Sequence, residues 1–171
     1  TEVPLIHIRR DFAATPDQLM RAHLDPDLFA QWVGPSSLTT RIDYWNATTG
    51  GSWRYVASRG DDEFAFHGCF HQVGETRIVQ TFTFEGEPDG VALERLMLED
   101  VGDGRTRLTA TSLVDSFEDR AAFAASGRQR ASAFSWRQAA TPLEAIYEDV
   151  QRQASARLHP QRAPERTPTQ A

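Results

Sequence analysis

Apolar residues alternate with polar ones over most of the first 115 residues, and one short stretch breaks that rhythm. Residues 3–12 open as a strand, with Leu5, Ile6 and Ile8 among charged neighbours. The stretch from Thr15 to Pro35 then spells two short helices back to back. Thr15 is an N-cap, Pro16 takes the first helical position and Gln18 completes a capping box. Asp25 and Pro26 repeat the code, and Gly34-Pro35 ends the second helix. Alternation resumes over 38–46, 52–58, 63–73, 76–85, 91–101 and 105–115. Turns are expected at Thr49-Gly50-Gly51, Gly74-Glu75 and Gly102-Asp103-Gly104, with loops at 59–61 and 87–90. Strands joined by sequential hairpins imply one antiparallel sheet, strongly bent, in an α+β chain. A helix pair this short buries little alone, so it is expected to plug one end of the sheet.

Parity separates the faces. Phe64, Phe66, Gly68 and Phe70 share one side, and His67, Cys69 and His71 the other. Trp53, Tyr55 and Ala57 group together, as do Ile78, Gln80, Phe82 and Phe84. These aromatic rows are expected on the concave face.

Beyond the strands, Ser116 caps a helix whose first turn holds Glu118 and Asp119, where the helix dipole favours acids. It is expected to break or bend between Gly127 and Pro142. Thr141-Pro142-Leu143-Glu144 forms another capping box, followed by Leu143, Ile146, Tyr147, Val150, Ala154 and Leu158 at helical spacing. The expected organisation is one domain over 1–158 and a disordered Pro- and Arg-rich tail over 159–171.

Composition narrows the classes. A hydrophobic share of 40% and a charged share of 25% fit a soluble globular protein, and no apolar run suits membrane insertion. A single cysteine, Cys69, excludes an internal disulfide; with no signal-peptide core at the start, the expected location is cytoplasmic. A net charge of -6 argues against nucleic acid as the main partner. All 18 basic residues are Arg, which excludes a lysine Schiff base. Residues 128–171 hold 7 Arg against 4 acids, while the first 127 residues hold 11 Arg against 20 acids.

Several motifs recur in a familiar order. Asp25-Pro26 leads to Trp32 and Gly34-Pro35, and Gly50-Gly51-Ser52-Trp53-Arg54-Tyr55 follows. Gly68-Cys69-Phe70, Glu75-Thr76-Arg77-Ile78-Val79 and Gly104-Arg105-Thr106-Arg107-Leu108-Thr109 come next. Over about 5–127 the chain resembles the START-like (SRPBCC) superfamily, and within it the activator homologues of the 90-kDa heat-shock ATPase. The resemblance implies a helix-grip (Bet v-like) fold, a bent antiparallel sheet of six or seven strands around a C-terminal helix, with a cavity between them. Gln72 and Gly74 depart from the usual acid and proline. After Gly127 the likeness stops, at a divergent or frame-altered C-terminus, and the capping box at Thr141 favours divergence.

Each candidate residue has a plain reading beside its functional one. His67, Cys69 and His71 project alike from one strand, as zinc ligands do, but lie opposite the aromatic row, which favours a structural or solvated role. Cys69 lacks a recognisable oxyanion nest, so nucleophilic catalysis is disfavoured. His23 and Asp115 are expected near the cavity mouth, where capping or surface roles are favoured. The proposed ligand wall comprises Trp32, Trp53, Tyr55, Phe66, Phe70, Phe82 and Phe123, with Gln80 and Arg95 at a ligand's polar end. The expected function is binding of a small hydrophobic molecule, with its mouth near Trp32 and no catalytic residue, metal or cofactor assigned. An aromatase-, cyclase- or hydrolase-like enzyme and a cochaperone-like ATPase activator are the alternatives. A homodimer stays open.

Overall fold

The computed structural model describes residues 2–35 and 37–121. Its elements are β1 (Leu5–Phe12), α1 (Pro16–Leu24), α2 (Pro26–Trp32), β2 (Thr39–Trp45), β3 (Ser52–Arg59), β4 (Asp62–Val73), β5 (Arg77–Phe84), β6 (Ala92–Gly102) and β7 (Arg105–Leu113). The helix starts are written in side chains. Thr15 Oγ1 accepts from the Gln18 N–H at 3.4 Å, and the Thr15 N–H donates to Gln18 Oε1 at 2.8 Å. Asp25 ends α1 and starts α2, its N–H bonding to Arg21 while its carboxylate accepts from Asp27 and Leu28. Both capping predictions are borne out.

All seven strands form one bent antiparallel sheet in the order β1-β7-β6-β5-β4-β3-β2. Strands β2 to β7 run as an unbroken meander, and β1 closes the far edge against β7. The expected strands agree with the observed ones to within two residues at each end. The segment at 59–61 is itself a hairpin turn, made tight by Gly60 in the left-handed region at φ +60°. Register shifts at Ile42/Tyr44, Phe70/Gln72 and Asp100/Gly102 supply bulges that curve the sheet.

The core sits on the concave face. Leu19, Met20 and Ala22 of α1 pack with Trp53, Tyr55, Phe70, Ile78, Leu98 and Leu108. Thr106 is 0% exposed and donates its hydroxyl to the Ala14 carbonyl at 2.6 Å, tying β7 to the approach of α1. Gly68 stands where no side chain fits: a Cβ would lie 2.0 Å from the Thr81 carbonyl oxygen and 2.5 Å from Trp53 Cζ2. The space left above Gly68 is therefore filled by the Trp53 indole and does not enlarge the cavity.

A helical turn begins at 117, where Ser116 Oγ accepts from the Asp119 N–H at 3.0 Å. The expectations for Gly127, Pro142 and the tail lie outside the described residues, as does Phe123.

Candidate functional site

Two indoles define one end of a cavity on the concave face. The last carbonyls of a helix have no partner within it. Trp32 Nε1 donates to the Ala22 carbonyl at 2.9 Å, and Trp45 Nε1 donates to that of Leu24 at 2.8 Å. These bonds satisfy the end of α1 and fix both rings against it. Phe29 of α2 lies between them, 5.2 Å from Trp32 and 4.6 Å from Trp45 between ring centroids. His23 joins this wall 4.7 Å from Trp32. Its Nδ1–H donates to the Leu19 carbonyl at 2.7 Å, and desolvation pushes its pKa below the ordinary value, which favours the neutral ring.

The sheet supplies the floor. Trp53 and Tyr55 stack with centroids 5.7 Å apart, and Phe70, Ile78 and Phe82 continue the apolar surface. Leu96, Leu108 and Ala110 extend it across β6 and β7, and Ile8, Arg10 and Phe12 line it from β1. The cavity, partly open to solvent, has a volume of about 500 Å³, within the usual range for small-molecule sites. Trp53 Nε1 is buried and has no acceptor among the described residues.

One cluster interrupts the apolar wall. Strands β5 and β6 pair Gln80 with Glu94, and β6 and β7 pair Glu94 with Ser112. Gln80 Nε2 donates to Glu94 Oε2 at 3.0 Å, and Ser112 Oγ lies 3.3 Å from Glu94 Oε1. Desolvation raises the Glu94 pKa above its ordinary value, opposed by those two hydrogen bonds. Burial, together with the charge of Glu94, also raises the Tyr55 phenol.

Of the expected wall, Trp32, Trp53, Tyr55, Phe70, Gln80 and Phe82 line the cavity. Arg95 touches it too, but has the opposite parity from Gln80 and Glu94 and is exposed. Phe66 is a layer removed, stacked on Tyr55 at 5.0 Å and next to Phe82 and Phe84. It supports the wall without belonging to it. The reading of the sequence missed Glu94, Ser112 and Phe29. In β6 both parities mix polar and apolar residues, so only the pairing with Gln80 reveals which row faces inward.

The other candidates lie elsewhere. Cys69 and His71 are exposed, and His67 Nδ1 sits 3.2 Å from Glu85, which also holds Arg54. Among the described residues no group of three or more His, Cys, Asp or Glu is set to hold a metal ion. Asp115 accepts from the Val91 N–H at 3.1 Å, a capping role at the sheet's end.

A bent seven-stranded sheet, a helix plug and an aromatic cavity between them define an α+β, helix-grip protein of the START-like class. The chain belongs to the family described as Activator of Hsp90 ATPase homolog 1-like protein, whose model matches residues 13–148. That match continues past Gly127, where the motif-by-motif resemblance stops. A solution structure from Arthrobacter aurescens is similar at a TM-score of 0.71 and 21% identity, over 86% of this chain and 87% of that one. One from Staphylococcus epidermidis gives 0.69 and 23%, over 87% and 92%. Protein CV1439 from Chromobacterium violaceum gives 0.66 and 22%, over 85% and 97%. Such identities speak to the fold alone. No curated protein matches the chain. No described helix is long and apolar enough to cross a membrane.

Proposed function

We propose that the chain binds a small, mainly hydrophobic molecule on the concave face of its sheet. The observation that carries this is the cavity of about 500 Å³, walled by eight Phe, Trp and Tyr side chains and carrying one polar cluster. A core packed solid would leave no such space. Trp32 and Phe29 bound one end, and Gln80, Glu94 and Ser112 offer a ligand its polar anchor. No catalysis is assigned.

A thermal-shift screen with planar aromatic and fatty probes tests the reading. At a hundred times Kd, a ligand stabilises the folded chain by about 2.7 kcal/mol, and the melting temperature should rise by roughly 5–10 °C. Ala110→Phe places a ring in the cavity and should abolish the shift. The reading fails if no probe stabilises the unmodified chain, or if Ala110→Phe responds equally.

A second reading comes from the family's description, which brings a heat-shock ATPase as partner. Leu93 and Met97, 44% and 47% exposed on the convex side of β6 with Arg95 between them, offer a mixed apolar and basic surface for such docking. Affinity for an Hsp90-type ATPase in the absence of any small molecule would support it.

A further inference from the structure

The charge pattern of the cavity carries an inference that rests on the ligand-binding reading above. On the outside of the sheet, carboxylates meet cations: Asp11 pairs with Arg107, and Asp43 and Glu85 both pair with Arg54. Glu94, inside, has a different company. Among the described residues its oxygens meet only the side chains of Gln80 and Ser112, and no arginine or histidine there forms an ion pair with it. A carboxylate withdrawn from water is costly unless a counter-charge or enough hydrogen bonds compensate it. Here the described residues supply two neutral partners and no cation.

The surroundings favour a particular kind of cation. Aromatic faces attract positive charge, and the attraction grows as water is excluded. Trp53, Tyr55 and Phe82 line the same cavity as Glu94, and Tyr55 is close enough to feel its charge. The cavity's own inward cation, Arg10, stands far along the strands. It is in register with Leu108 on β7, whereas Glu94 is in register with Ser112, four residues away, or about 13 Å at the rise of a strand.

We propose that the cavity takes a hydrophobic amine, an aromatic or alkyl ligand whose protonated nitrogen sits on Glu94 while its apolar body lies among the rings. Such a ligand brings the counter-charge that the described residues omit and the apolar surface that the wall expects.

Three probes on one ring system separate this from its rivals: naphthylethylamine, naphthylethanol and naphthylacetic acid. Isothermal titration calorimetry at neutral pH, on the full chain and on Glu94→Gln, gives their relative affinities. The amine should bind the unmodified chain about tenfold more tightly than the alcohol, with the acid weakest. In Glu94→Gln the ratio of amine to alcohol affinity should fall by about the same factor. The ranking on the unmodified chain tests the idea even if the variant folds poorly. Equal binding of amine and alcohol, an unchanged ratio in Glu94→Gln, or preference for the acid would overturn the amine while leaving a binding cavity in place. Failure of all three probes to bind would overturn both.

Discussion

Replacing Gly68 with Ala separates what local preference predicts from what this structure predicts. Glycine inside a strand is entropically costly, so Gly→Ala at an unstrained position should stabilise by about 0.5–1 kcal/mol. At Gly68 the new methyl would stand 2.0 Å from the Thr81 carbonyl oxygen and 2.5 Å from Trp53 Cζ2. Neither neighbour yields easily. Thr81 Oγ1 accepts the Cys69 N–H at 3.0 Å, so moving Thr81 strains the β4–β5 pairing. Trp53 is 2% exposed and touches Trp45, Tyr55 and Phe82. Overpacking a filled site costs about 1–3 kcal/mol, and a weakened hydrogen bond adds about 1 kcal/mol. Set against the entropic gain, the net expectation is a loss of roughly 2 kcal/mol. Urea denaturation followed by tryptophan fluorescence measures it, and with a slope of about 2 kcal/mol per molar the midpoint should fall by about 1 M. Displacing Trp53 should also weaken any ligand that stabilises the unmodified chain. A Gly68→Ala protein as stable as the original, or more so, would refute the close approach and the cavity floor built on it.

Two further outcomes follow from buried groups. Thr106→Val removes the hydroxyl that satisfies the Ala14 carbonyl and should cost about 1–3 kcal/mol, whereas Thr106→Ser should recover much of it; equal urea midpoints for all three would refute the role of this bond. The pH response has two opposing parts. The Glu94 pKa is raised above 4.5, so its contribution is complete below that pH and is lost as pH rises through the folded value. Among the described residues, those coupled to it are Gln80, Ser112 and Tyr55, of which only Tyr55 titrates. The His23 pKa is lowered from 6.5 against the Leu19 carbonyl and Trp32, so its contribution is complete above that value and lost as pH falls. Glu94→Gln should therefore gain stability relative to the unmodified chain as pH climbs from about 4.5 toward neutrality, and a difference independent of pH would refute the desolvation of that acid.

Local chemistry was legible because it is written in neighbouring residues. The capping code at Thr15 and Asp25 needs only side chains within three positions, and both helices start where it says. Alternation assigned Trp53, Tyr55, Phe70 and Phe82 to the concave face, since side chains two apart on a strand cannot choose different sides. The motifs from Asp25 to Thr109 carried the family, and its model matches across 13–148.

Whatever depends on register or on distance through space was decided by the folded sheet. Phe66 has the right parity, yet Tyr55, Phe82 and Phe84 pack around it and hold it away from the cavity. Arg95 and Glu94 are adjacent in sequence, and only the pairing of β5 with β6 sets Glu94 beside Gln80 on the inner face. Gly68 reads as empty space in one dimension, and in three it is the seat of the Trp53 indole. Periodicity along a single strand determines which residues share a face; which of them meet, and what room they leave, follows from how neighbouring strands align and bend.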